Sequence, residues 1–119
     1  MKTLNEIVEY FKIFEPQIKD NYVEINLPII LKITHNCITF RIFPNKNGYT
    51  ISDGGYTFEN CNKSASFYFS PFAQKHDKLC QSFTLNENEE ITKTYSENDS
   101  LTTALDEFIK LLIKLDETI

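Results

Sequence analysis

A chain of 119 residues with 41% hydrophobic and 24% charged side chains can bury one sizeable core, which argues against intrinsic disorder. No stretch approaches the roughly 20 apolar residues of a membrane helix and no apolar leader-like segment opens the chain, so the expectation is a cytoplasmic protein with no membrane partner. The net charge of −5 argues against direct nucleic-acid binding, which needs a basic stripe to neutralise phosphates.

The charge is unevenly spread. From Asn86 onward nine acids face three lysines, a net −6, and the rest of the chain is about +1. Such a segment predicts an acidic surface suited to a protein partner with a basic groove. Cys37, Cys61 and Cys80 form no CxxC pair and no metal spacing, so reduced thiols and no metal centre are expected.

Thr3 followed by Glu6 has the capping-box pattern, and Leu4, Ile7, Val8, Phe11 and Phe14 recur at helical spacing, which predicts an N-terminal helix ending near Pro16. From Tyr22 the period becomes two. Val23, Ile25 and Leu27 alternate with polar residues as a half-buried strand that Pro28 interrupts. Residues 29–34 and 37–43 read as two strands around a tight His35-Asn36 turn, with Asn36 suited to the left-handed region. Residues 44–48, Pro-Asn-Lys-Asn-Gly, read as the next hairpin loop and Tyr49 to Ser52 as its return strand.

Tyr56 to Asn62 is expected to form a short helix capped by Asp53 or Thr57. The apolar Ser66-Phe67-Tyr68-Phe69 run is expected under a loop or in a short strand. Ser70-Pro71 has the cap-then-proline order of a helix start, predicting a helix from Pro71 to Cys80. Residues 81–85 and 91–95 read as a second hairpin around Asn86-Glu87-Asn88-Glu89. In the last segment Leu101, Ala104, Leu105, Phe108, Leu111, Leu112, Leu115 and Ile119 follow one helical face, widened by Ile109 and Ile113, behind the caps Asn98-Asp99-Ser100. The fold class is therefore α+β: a single domain, residues 1–119, with an antiparallel meander and a second hairpin packed against N-terminal and C-terminal helices.

All three glycines fall in the run Gly48-Tyr49-Thr50-Ile51-Ser52-Asp53-Gly54-Gly55, where the backbone needs special conformations. Asp53 is the one weak catalytic candidate, with His76 or Tyr56 as partners brought near by folding, although Asp before Gly-Gly commonly serves a turn or a cap. No P-loop, GxSxG elbow, GxGxxG fingerprint or HExxH pair occurs, so neither a cofactor nor an established catalytic set is implied. His35 and His76 each read as isolated surface histidines.

The strand and turn Tyr49-Thr50-Ile51-Ser52-Asp53-Gly54-Gly55-Tyr56-Thr57, with the strands before it and the helix, hairpin and terminal helix after it, resembles an uncharacterised family of small prokaryotic and phage domains. Its members carry a strand ending in Thr/Ser-Asp-x-Gly. The resemblance implies a fold and a bacterial or phage setting, and no reaction. The leading expectation is a non-enzymatic protein-binding module, acting as a defence or counter-defence inhibitor through Glu87, Glu89, Glu90, Glu97 and Asp99, or through the turn of Gly48, Asp53, Gly54 and Gly55. The alternatives are a small enzyme centred on Asp53 and a homodimer sealed by the last helix through Phe108 and Leu112, so the chain is expected to be a monomer or a homodimer.

Overall fold

A computed structural model describes residues 3–119. The chain is of α+β class, with helix α1 (Leu4–Tyr10), strands β1 (Gln17–Lys19), β2 (Tyr22–Ile30), β3 (Cys37–Asn45) and β4 (Gly48–Ser52), helix α2 (Ala65–Lys75), strands β5 (Thr84–Leu85) and β6 (Ile91–Ser96), and helix α3 (Leu101–Thr118). The strands form one six-stranded antiparallel sheet in the order β1-β2-β3-β4-β6-β5. The second hairpin thus joins the meander through β6.

Alternation sorts the sheet into two faces. Val23, Ile25 and Leu27 align with Ile42, Phe40 and Ile38, and Ile51 and Tyr49 continue the layer toward Ile91 and Tyr95; all are buried. Helix α3 closes this face with Leu101, Ala104, Leu105, Phe108, Leu111, Leu112 and Leu115. The Phe108 ring meets Phe40 and Phe83 edge-on, each at 4.9 Å between centroids, a geometry that adds to the burial of three large rings. Phe108 and Leu112 therefore belong to the core of their own chain, so Phe108→Asp or Leu112→Asp reports on folding and not on subunit dissociation.

The opposite face is polar along its centre. Cross-strand pairs span it from one side to the other: Thr39 donates to Asn26 at 2.6 Å, Arg41 to Glu24 at 3.4 Å, and Thr50 meets Thr94 at 2.9 Å, each pair being register partners.

Several local expectations change. The first helix ends at Tyr10 and continues as a 3₁₀ turn, Lys12–Phe14, closed by Glu15 in the left-handed region (φ 51°) ahead of Pro16. Thr3 caps it, accepting from the Glu6 amide at 3.1 Å. Strand β1 carries too few residues to announce itself by alternation. Strand β2 does not stop at Pro28 but runs to Ile30, because a bulge between Leu27 and Ile30 absorbs the proline, which has no amide to pair. Residues 31–34 are a turn and not a strand, and His35, not Asn36, takes the left-handed conformation (φ 57°). The next hairpin loop shrinks to Lys46-Asn47, as Asn45 and Gly48 still pair.

Residues 56–60 form turns and 61–62 are irregular, in place of a helix. Helix α2 begins at Ala65, so the Ser66–Phe69 run is helical and Pro71 lies inside the helix, where it leaves the Phe67 carbonyl without its usual donor. Ala65, Phe69 and Phe72 supply the buried side that drives this placement. The Ser64 side chain does not cap the helix; the Glu89 carboxylate accepts from the Ala65 amide at 3.0 Å instead.

The 31–36 turn is held from the far end of the chain. Asp116, buried in the last turn of α3, accepts from the amides of Lys32 and Ile33, both at 2.9 Å. An acid at a helix C-terminus opposes the helix dipole, and the two amides offset that cost. Asp116→Ala should lower the free energy of unfolding by about 1.5–3 kcal/mol, the range for hydrogen bonds to a charged group. Asp116→Asn, which keeps one acceptor, should lose less; urea titration of both variants checks the order.

Candidate functional site

The site is built where β4 ends. Asp53 has 1% of its surface exposed, and its Oδ1 accepts from the Ile91 amide at 2.8 Å and the Gly55 amide at 3.0 Å. Its own amide donates to the Ile91 carbonyl at 3.1 Å, so the corner is bonded to the start of β6 by backbone and side chain together. The Tyr56 amide closes the turn on the Asp53 carbonyl at 3.2 Å, with positive φ at Gly54 (67°) and Gly55 (78°), the signature of a type I′ turn. Ser52 completes the corner, accepting from the Gly54 amide at 2.9 Å and donating to Glu90 at 2.7 Å.

Gly48 has a different task. A Cβ there would lie 2.0 Å from the Tyr95 carbonyl oxygen, so its glycine permits the close approach of β6. At Gly54 a Cβ would meet the Tyr56 ring at 2.9 Å and Arg41 Nε at 3.0 Å. That space lets Tyr56 fold back over the polar face of the sheet. Arg41 is then held between two rings, 5.0 Å from the Tyr22 centroid and 5.2 Å from that of Tyr56, with Nη2 donating to the Tyr56 hydroxyl at 2.9 Å. Glu24 binds Arg41 and Lys19, the latter at 2.8 Å. Burial alone would push the Glu24 carboxyl up, but the hydrogen bonds and charges of Lys19 and Arg41 outweigh it and hold the group below its ordinary value.

Beside Tyr56 the polar face dips into a groove of about 390 Å³ lined by Asn26, Thr34, Asn36, Cys37, Thr39, Tyr56 and Glu59. The 31–36 turn and the 56–59 turn form its end walls. On the other side of the corner, Gly55 packs against the β5–β6 turn: a Cβ on it would lie 3.6 to 3.9 Å from atoms of Asn88, Glu89 and Glu90.

The acids singled out from the sequence divide into two groups. Glu87, Glu89 and Glu90 lie before β6, and Glu97 and Asp99 after it, which separates them by on the order of 20 Å along the strand. Glu87 is exposed. Glu89 caps α2, Glu90 binds Ser52, and Asp99 accepts from the Ser96 amide at 3.0 Å while its carbonyl takes the Tyr49 hydroxyl at 2.8 Å. Burial, with the Asp99 charge, pushes the Tyr49 hydroxyl up to about 12.

Asp53 is not paired with a second acid or base. Burial raises its carboxyl above the ordinary value, opposed by the Thr57 side chain and by the amides of Gly55, Ile91 and Thr57. Its Oδ2 is buried and makes no well-directed hydrogen bond, although Thr57 lies beside it. The Tyr56 hydroxyl is committed to Arg41, and the His76 ring lies tilted against Phe72, 4.8 Å between centroids, at the end of α2. Among the described residues no group of three His, Cys, Asp or Glu is placed to hold a metal ion. Cys37 is exposed, Cys61 half-buried and Cys80 buried, all as free thiols.

Sequence reasoning missed Arg41, Glu24, Lys19, Tyr22 and the groove-lining Glu59. Alternation alone puts Glu24 and Arg41 on the polar face, but only the register makes them neighbours. No family model matches the chain, and no curated protein and no solved structure is significantly similar to it.

Asp53→Ala removes the acceptor of two amides and should destabilise the fold, whereas Asp53→Asn keeps Oδ1 and places an amide nitrogen beside Thr57. Because the native carboxyl takes up a proton more readily than the unfolded chain, its contribution to stability is fullest below the ordinary carboxylate range and falls as pH rises toward the raised native value. Chemical denaturation from pH 4 upward should show this fall in the wild type and its loss in Asp53→Asn.

Proposed function

We propose that the protein is a non-catalytic module that binds a basic protein partner at the end of its sheet, where the Asp53–Gly55 corner meets the Glu87–Glu90 turn. The observation that carries this reading is the packing of Gly55 on Asn88, Glu89 and Glu90, which joins the glycine corner and one acidic segment into a single surface. Lone exposed acids chiefly aid solubility; acids fixed by hydrogen bonds beside an ordered corner present a defined pattern to a partner.

An enzyme centred on Asp53 is disfavoured because the carboxylate is enclosed and bonded to backbone amides, leaving it no exposed atom to offer a substrate. A bacterial or phage setting rests on the resemblance at Ser52 to Gly55, and an inhibitor role on the mimicry of phosphate charge by the acidic turn.

Capture of a partner from bacterial lysate at about 50 and about 200 mM salt tests the reading, since exposed charge pairs weaken as the screening length shortens. Charge-driven capture should fall with salt. The triple variant Glu87→Gln, Glu89→Gln, Glu90→Gln keeps the acceptors for Ala65 and Ser52 while removing three charges, and should abolish capture with the fold intact by circular dichroism. Capture that is indifferent to salt and to the triple variant overturns the proposal.

A further inference from the structure

We infer that the groove beside Tyr56 receives an arginine side chain of that basic partner, an inference that rests on the function proposed above. The groove volume lies within the range of about 300–1,000 Å³ typical of small-ligand pockets. Among the described residues Glu59 is the one charged side chain in its lining, with no lysine or arginine beside it. Arg41 is paired with Glu24 and stacked on the rings of Tyr22 and Tyr56, outside the lining.

The hydrogen-bonding capacity left open centres on two acceptors, beside the Nδ2 amide of Asn26 at the margin of the lining. Asn36 donates through Nδ2 to the Thr34 carbonyl at 3.3 Å, which fixes the carboxamide and leaves Oδ1 without a partner among the described residues. The Glu59 carboxylate is exposed and likewise has no partner there. Thr34 is satisfied by its own turn, donating to the Asn36 carbonyl at 3.0 Å and accepting from the Asn36 amide at 3.1 Å, and Asn26 Oδ1 is taken by Thr39 at 2.6 Å. A carboxylate and a carboxamide oxygen suit a guanidinium, whose five N–H groups need acceptors only.

The groove also suits the stem. The Tyr56 ring, Cys37 and the Thr34 and Thr39 side chains give a long aliphatic chain apolar surface while its charged head reaches Glu59. Arg41 holds the Tyr56 ring through stacking and the 2.9 Å hydrogen bond, so this wall is formed before a ligand arrives. Preorganisation of that kind lowers the ordering cost of binding.

The test is an amide NMR titration with a short, otherwise uncharged peptide carrying one arginine, beside the same peptide with citrulline or lysine in that place. The arginine peptide should produce saturable shifts at Asn26, Asn36, Thr39, Tyr56 and Glu59. Citrulline, and the Glu59→Gln variant with the arginine peptide, should bind at least tenfold more weakly, while Glu9→Gln, at an exposed acid of α1 paired with Lys12, should leave the groove titration unchanged. Equal binding of citrulline, equal binding of lysine, or arginine-dependent shifts confined to Glu87–Glu90 overturns the inference. A groove that stays silent while salt-sensitive capture persists removes this inference alone; loss of salt-sensitive capture removes the reading beneath it.

Discussion

One carboxylate oxygen, Asp53 Oδ1, fastens two parts of the chain that are otherwise 38 residues apart. Through the Ile91 amide it sets the start of β6 against the end of β4, and through the Gly55 amide it shapes the turn that leaves the sheet. The position of α3 follows, because α3 is reached only through β6. Burying a carboxylate is expensive, and two charge-assisted hydrogen bonds of about 1.5–3 kcal/mol each offset much of that cost. The return is a corner with a single orientation. That orientation sends Tyr56 over the polar face and brings Gly55 against the acidic turn.

The two faces of the sheet divide the work. Apolar residues at alternate positions close on α3, leaving the other face to short polar pairs and to Arg41. Several acids that composition alone would place in the solvent are structural parts: Glu89 starts α2, Glu90 braces Ser52, Asp116 holds the 31–36 turn, and Glu107 accepts from Lys93 at 2.5 Å and from the Tyr95 hydroxyl at 2.9 Å. Lys93 sits over the rings of Phe83 and Tyr95, at 5.1 Å from each, on the half-buried margin of the α3 face. The net charge of −5 therefore includes acids such as Asp116 that are spent inside the fold, whereas the bonds of Glu89 and Glu90 fix their carboxylates at the surface.

The α+β class, the strand faces and the last helix were legible because each rests on periodicity, which is local. The register was not. A two-residue turn at His35-Asn36 would set Glu24 opposite Asn47, whereas the longer turn and the bulge at Pro28 set it opposite Arg41. That choice is made by Asp116 from 80-odd positions away, a contact no local pattern announces. Helix α2 was misplaced for a related reason: Ser70-Pro71 is a sound start signal, but Ala65, Phe69 and Phe72 share one helical face and burial prevails over the proline. The Glu89 cap that allows the earlier start comes from the β5–β6 turn and is again distant in sequence.

The three glycines show how one compositional signal covers three physical demands. Gly48 needs room for the Tyr95 carbonyl, Gly55 needs only its positive φ, and Gly54 needs both its φ and the space for Tyr56 and Arg41. Alanine at Gly55 would meet no close contact and carry backbone strain alone, of roughly 1–2 kcal/mol. Alanine at Gly54 would add a collision that displaces Tyr56 from Arg41, and with it the wall of the groove. The corner and the groove are thus mechanically one unit, so a change that loosens the turn reaches the proposed arginine site without touching any residue that would contact the ligand's guanidinium.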